Sequence, residues 1–244
     1  MYFLRKFKRS LFKGFMMCRF FFFFLALVAS MGVIACNESS SNSSKFSFCD
    51  EYGLVSDSKT LFFEDFENFT TQGTLVDGVC GNAISLVPGE SDTLNYALNT
   101  SLSEGTVEFW FRPGKDFYKD TRTLLGNDGS RVHFVYSDSV LYFQKNIADT
   151  HIFVSDTIVL KSDWNHIAGQ WGNGFVSLFV NGSLVAQKAE SNDEASYQPA
   201  DTNNAILIGI KSPCCMEGIN IEKKLSTSGD FDQVRISNIE RYEE

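Results

Sequence analysis

From Leu61 onward the chain consists of short strand-like runs. Leu61–Glu67, Ala83–Val87, Thr106–Arg112, Arg131–Tyr136, Val140–Gln144, Ile152–Val154, Ile158–Leu160, Trp164–Trp171, Phe175–Val180, Leu184–Gln187, Ile206–Ile210 and Phe231–Ser237 are rich in aromatic and β-branched residues. Clusters of Gly, Asn, Asp and Ser separate them, which is how strands and turns are punctuated. No segment after residue 36 sustains a 3.6-residue apolar period. The pattern predicts an all-β, two-sheet antiparallel sandwich rather than helices around a parallel sheet. In Thr106–Arg112 the two-residue period puts Val107, Phe109 and Phe111 on one face and Glu108, Trp110 and Arg112 on the other. Pro113 and Gly114 then stop the strand. Asn181-Gly182, between two apolar runs, is the preferred pair for a tight hairpin turn with positive φ at both residues.

The N-terminus has a different composition. Arg5, Lys6, Lys8, Arg9, Lys13 and Arg19 form a basic segment without an acid, and Phe20–Ala35 is uninterrupted apolar or small sequence. A membrane span needs about 20 such residues, so a signal-peptide core is the better reading and a short transmembrane anchor the alternative. The stretch ends in Val33-Ile34-Ala35-Cys36, which resembles the lipobox of bacterial lipoproteins. That resemblance implies cleavage before Cys36, with diacylation of its sulfur and acylation of its new amino terminus. Several acyl chains give lasting attachment to a membrane. Asn37, not Asp, follows the cysteine. By analogy with enteric bacteria this favours the outer membrane or cell surface over retention in the inner membrane. Asn37–Ser44 (NESSSNSS) cannot bury a core and reads as a flexible tether spanning about 15 Å. The expected organisation is a signal peptide at 1–35, a lipidated tether at 36–48 and one domain at 49–244.

Charge and cysteines narrow the partners. Of the 21 Lys and Arg, six lie in residues 1–35, which leaves 15 against 30 Asp and Glu, a formal charge of −15. Such a surface repels phosphate backbones and argues against nucleic acid. Of six cysteines, Cys18 leaves with the signal peptide and Cys36 takes lipid. Cys49, Cys80, Cys214 and Cys215 remain for an oxidising compartment. Four cysteines allow three connectivities. The favoured one pairs Cys49 with Cys80 and Cys214 with its neighbour Cys215. A 49–80 bridge is worth about 3–4 kcal/mol by loop closure. The spacing does not suggest zinc.

Six motifs in order then resemble laminin-G-like domains of the concanavalin A-like jelly-roll family, over most of Leu61–Tyr242. They are Gly81-Asn82-Ala83-Ile84 with Leu86, Gly105–Pro113 (GTVEFWFRP), Trp164 with His166 and Ala168, Leu178–Leu184 (LFVNGSL), Ile206–Gly209 (ILIG) and Phe231–Ser237 (FDQVRIS). The closing motif has Gln233 and Ser237 where the family has an acid and Tyr. The resemblance implies a jelly roll of two stacked sheets, and a domain that holds a ligand more often than it transforms one. It also implies one structural calcium ion bridging the first and last strands, with Asp232 as carboxylate ligand and Glu64, Asp65 and Gly81 completing the set. Mixed carboxylate and carbonyl ligation suits calcium. The alternative is that Asp232 caps a strand and pairs with Arg235 or solvent.

Catalysis finds little support in the residues. The related glucanases carry an E-x-D-x-x-E strand whose acids flank the scissile bond. Glu64-Asp65-Phe66-Glu67 is the nearest run, and its spacing is wrong. Of three histidines, His166 is expected to hydrogen-bond a buried backbone group, and His133 and His151 carry no functional expectation. A glycan would be read by aromatics on a sheet face or rim, for which Trp110, Trp171, Tyr136 and Tyr142 are candidates by type, most of them expected in the core. The polar loops Asn192–Asn204 and Ser212–Gly229 are further places for binding. The leading expectation is a non-catalytic surface lipoprotein that binds glycan. A structural or adhesion module for envelope proteins comes second, and a glycoside hydrolase of the same fold third.

Overall fold

A computed structural model describes Cys49 and residues 52–68, 73–97, 102–127, 132–147, 150–190, 205–209 and 225–243. The signal segment, Cys36, the tether, the loop 192–204, Cys214 and Cys215 lie outside these residues.

Among the described residues fifteen strands follow in chain order: Thr60–Glu64 (β1), Thr74–Asp77 (β2), Asn82–Leu86 (β3), Asp92–Ala97 (β4), Gly105–Pro113 (β5), Arg122–Asn127 (β6), Val132–Ser137 (β7), Val140–Ile147 (β8), Thr150–Thr157 (β9), Asn165–Gly172 (β10), Phe175–Val180 (β11), Ser183–Ala189 (β12), Ala205–Ile208 (β13), Leu225–Ser226 (β14) and Gly229–Ser237 (β15). They form two sheets. The first has the order β12-β11-β10-β5-β15-β3-β2, with β1 also on β15; the second has β4-β13-β6-β7-β8-β9, with β14 on β6. All pairings are antiparallel except β14 with β6. This is the expected jelly-roll sandwich.

The inward faces meet in one aromatic core. Val107, Phe109 and Phe111 of β5 are fully buried, as their alternation predicts. Phe109 meets Phe134 of the opposite sheet edge-on, with centroids 5.1 Å apart, and Phe134 lies 4.7 Å from Phe143. Each buried Phe contributes up to about 3 kcal/mol. Gly169 of β10 makes room for this cluster, since a Cβ there would lie 2.4 Å from the Phe143 ring. Trp171 is fully buried, and Tyr136 is 2 % exposed with its hydroxyl donating to Ile158 O at 3.0 Å. Both are core, not ligand platforms. Buried Lys145 is neutralised by Glu190 at 2.5 Å.

The central strand β15 positions the site. One edge pairs with β5 along nearly its whole length. The other edge is shared: Gly229–Phe231 pairs with β3 and Val234–Ser237 with β1. At the changeover the register against β5 shifts between Asp232 and Arg235, and Gln233 takes φ 46°. The neighbouring strand β1 stops at Glu64, earlier than its apolar run suggests. The Glu64 carboxylate accepts from Phe66 N at 2.8 Å, and Phe66 turns to φ 58°. A side-chain bond to the backbone thus replaces the sheet ladder. The hairpin at Asn181-Gly182 has φ 53° and 76°, the left-handed pair that its sequence predicts.

Candidate functional site: an aromatic pocket and an acidic cleft on one sheet face

The outward face of the first sheet is largely covered by the two ends of the domain. Across β10, β5 and β15 the register aligns His166, Trp110 and Asp232 in one row, and Ala168, Glu108 and Arg235 in the next. Residues after β15 fold back over these rows. Gln170 Oε1 accepts from Arg241 N at 2.8 Å and Tyr242 N at 2.9 Å, and Thr106 Oγ1 donates to Ile239 O at 2.8 Å. Tyr242 stacks on Phe179 at 4.9 Å.

Beneath Tyr242 lies a fully partnered carboxylate. Glu108 is 0 % exposed. Its Oε1 accepts from Arg235 Nε at 2.7 Å, its Oε2 lies 3.0 Å from His166 Nε2, and Oε2 also takes the Tyr242 hydroxyl. Burial pushes Glu108 up, but His166, Arg235 and Tyr242 together hold it below its ordinary value. The Tyr242 hydroxyl is pushed up by burial and by the charge of Glu108. His166 therefore meets a carboxylate, where a backbone partner was expected from sequence.

Asp232 is equally buried, at 0 % exposure, and only half satisfied. Its Oδ2 accepts from Val79 N at 2.7 Å and Cys80 N at 3.1 Å. Its Oδ1 has no hydrogen-bond partner among the described residues. Burial raises its pKa to about 7, the backbone N–H groups of Cys80, Val79 and Gln233 oppose the rise, and the charge of Glu67 adds to it.

Beside Asp232 opens a cleft of about 430 Å³, lined by Cys49, Leu54, Phe63, Asp65, Glu67, Cys80, Gly81 and Gln233. Cys49 and Cys80 are joined in a disulfide. Glu67 Oε1 accepts from Asn82 N at 2.7 Å. Gly81, at φ 65°, leaves room for that carboxylate, which a Cβ would overlap.

Of the four residues read from sequence as calcium ligands, Asp65 and Gly81 line this cleft; Asp232 does not, although it accepts from the N–H of Cys80, which does. Glu64 does not line it; its carboxylate is spent on Phe66 N. Glu67 was missed, although the two-residue period of Glu64–Glu67 already put it on the Asp65 side. No group of three His, Cys, Asp or Glu close enough to hold a metal occurs among the described residues, so a cation here would need backbone carbonyls as well. Asp232 Oδ1 has no hydrogen-bond partner among the described residues, but Asp232 itself is not among the residues that line the cleft.

A second, larger pocket of about 610 Å³ lies on the same face. Its aromatic walls are Tyr52, Trp110, Trp164 and Tyr242, and Lys161, Asp163, His166 and Asn181 supply polar groups. Trp164 is braced by the Arg112 guanidinium 4.6 Å from its ring centroid, and Arg112 is itself held by Asp230 at 2.7 Å. Buried Asn165 ties the loop beneath, bonding Lys161 N, Lys161 O and Asp163 O at 2.9, 2.9 and 2.7 Å. Asn181 Oδ1 accepts from His166 N at 3.0 Å. Trp110 is 8 % exposed, and its indole Nε1 has no partner among the described residues. Of the four aromatic candidates named from sequence, Trp110 alone lines this pocket. On the second sheet, the outward side chains Thr123, His133, Val135 and Gln144 are themselves buried.

This fold carries a sequence signature as well. Residues 88–244 match the concanavalin A-like lectin/glucanases superfamily, and the chain belongs to that family in its laminin-G-like branch. No match was found among curated proteins. Among solved structures the chain is similar to the binding domain of Paraclostridial Mosquitocidal Protein 1, at 18% identity and TM-score 0.56, over 75% of this chain and 49% of that one. It is also similar to the leech intramolecular trans-sialidase complexed with 2,7-anhydro-Neu5Ac, at 12% identity and TM-score 0.55, over 76% of this chain and 27% of that one. The binding domain of botulinum neurotoxin serotype D gives 12% identity and TM-score 0.51, over 75% and 49%. The chain spans half or less of these three. At such identities the likeness is one of fold.

Proposed function

We propose that the protein is a surface lipoprotein whose jelly-roll domain binds glycan without transforming it. The observation that carries this reading is the aromatic pocket, which offers rigid apolar platforms with a few convergent polar groups. Its volume falls in the range of small-molecule sites. Asp163 is the one acid among its lining residues, whereas glycoside hydrolysis by the usual route needs two carboxylates across the bond. Glu108, His166 and Tyr242 are spent on one another. Membership of a family of lectins and glucanases agrees with a sugar ligand. Lipid attachment at Cys36 rests on the basic segment, the apolar core and the Val33–Cys36 motif. The acidic cleft is proposed to take one calcium ion in a structural role, through Asp65 and backbone carbonyls.

A glycan array probed with the full chain tests the ligand class. Binding to a defined set of glycans is expected, and capture of none of them would end the glycan reading. For the anchor, Cys36→Ser should release an unlipidated, soluble product. Retention of that variant in the membrane would mean that Phe20–Ala35 is itself the anchor.

A further inference from the structure

A third cavity, of about 470 Å³, lies on the same sheet face, and Tyr242 lines both it and the aromatic pocket. The two cavities sit along one strand: His166 of β10 lines the aromatic pocket and Gln170 the third cavity. Four residues of strand put these side chains about 13 Å apart on one face, farther than a single sugar ring reaches. Between them lies the row of Ala168 and Glu108, where the Tyr242 hydroxyl is tied down.

The third cavity differs from the pocket in its chemistry. Asn173, Glu240, Arg241 and Glu243 line it. Glu240 is set in place by the end of β10 and the turn after it. Asn173, at φ 46°, donates from Nδ2 to its carboxylate, and a Cβ on Gly172 would lie 2.6 Å from its Oε1. Arg241 brings no charge to a ligand, because its guanidinium is spent. Its Nη1 and Nη2 donate to Asp57 at 2.7 and 2.8 Å, and its Nε donates to Ser237 Oγ at 2.9 Å. Among the described residues that line this cavity, no other is cationic. Ionised carboxylates accept hydrogen bonds and cannot donate them. Glu240 and Glu243 therefore suit hydroxyl or ammonium hydrogens and repel a carboxylate or a sulfate.

The aromatic pocket is balanced by comparison. Lys161 is the one Lys or Arg among its lining residues and Asp163 the one acid. Its floor is Trp110, which comes from the sheet itself, and the indole Nε1 has no partner among the described residues. A buried N–H without an acceptor costs free energy that a ligand oxygen offsets.

We infer that the aromatic pocket and the glutamate-lined cavity are two parts of one site across Tyr242, which takes an oligosaccharide of more than one ring without acidic groups. This rests on the glycan reading above and deepens it to the class of glycan. One ring stacks on Trp164 and gives an oxygen to the Trp110 N–H. The chain then passes over Tyr242 and places hydroxyls on Glu240 and Glu243.

The glycan array of the full chain tests this when its glycans are sorted by length and charge. The bound set should consist of neutral or amino-sugar chains of more than one ring. A bound set of acidic glycans, or affinity for a single sugar equal to that for its chain, would overturn the two-part site and leave the glycan reading standing. Capture of no glycan would overturn both. Calorimetry then compares the best-bound chain with the same chain carrying a uronic acid in place of a neutral ring. The uronate should bind about tenfold more weakly or worse, as like charges brought together disfavour the wrong partner. Glu240→Gln/Glu243→Gln, which keeps the shape of both side chains, should narrow that gap. A purely structural role for the two glutamates would lower both affinities alike, and a gap left unchanged in the variant would overturn the inference.

Discussion

Glu108 and Asp232 lie on the same face of the same sheet, on adjacent strands and one register row apart, and both are fully buried. Glu108 is surrounded by Arg235, His166 and Tyr242, and its charge is matched. Asp232 has two backbone donors on one oxygen and no hydrogen-bond partner on the other among the described residues, with the Gln233 N–H also acting on the carboxylate. The first is held below its ordinary pKa and the second is raised to about 7. Burial acts on both, so partners decide the outcome. A buried carboxylate whose every lone pair is used is a structural clasp. One with an orphan oxygen is costly to ionise.

That contrast can be broken from either side. Glu108→Gln leaves the Arg235 charge buried without its counter-ion, and losing one partner of a buried pair costs about 3–5 kcal/mol. Urea unfolding should show a loss of that size, together with release of Tyr242 from the sheet. Asp232→Asn should act in the opposite direction. With divalent ions chelated, Asp232 binds its proton more tightly folded than unfolded, where its pKa is 3.8. Its contribution therefore weakens stability as pH rises from about 4 to about 7 and stays unfavourable above that, by about 4 kcal/mol at most. Wild type in EDTA should lose this increment between about pH 4 and about pH 7, and Asp232→Asn should not. Glu108 titrates with the other sign: its stabilisation is present above about pH 4.5 and is lost as pH falls through its depressed folded value. Smallest is Tyr242→Phe, which deletes one hydroxyl from Glu108 and should cost about 1–3 kcal/mol. Calcium should still raise the melting temperature of that variant, since the cleft is untouched.

Much of the scaffold was legible in the sequence. Alternation assigned Val107, Phe109 and Phe111 to the core, and Asn181-Gly182 announced its turn. Four strands were not foreseen: Thr74–Asp77, Asp92–Ala97, Arg122–Asn127 and Leu225–Ser226. Thr74–Asp77 is largely exposed and makes no apolar stripe, and Asp92–Ala97 alternates too weakly to register. The run at Ile158–Leu160 looked like a strand, but β9 ends at Thr157 and Ile158 N instead donates to Ser139 O at 2.8 Å.

The site was legible only in part. The Cys49–Cys80 pairing could be picked out, because a parity argument pointed at these residues. The pocket could not be. Its walls come from residue 52, from β5, from the loop before β10, from the turn after β11 and from residue 242. Alternation placed Trp110 opposite Phe109, on a face that carries no core. It could not show that both ends of the domain return to cover that face and turn an outward tryptophan into a pocket wall.

The central claim is that this covered face, and Trp164 in it, holds a glycan. Titration calorimetry of the best glycan from the array, with wild type and Trp164→Ala side by side, tests it most directly. Loss of an aromatic anchor at the centre of a site costs about 2 kcal/mol or more, roughly 30-fold in affinity. That loss is expected with an unchanged melting temperature. Equal affinity in the two proteins would contradict it and move the ligand to another surface.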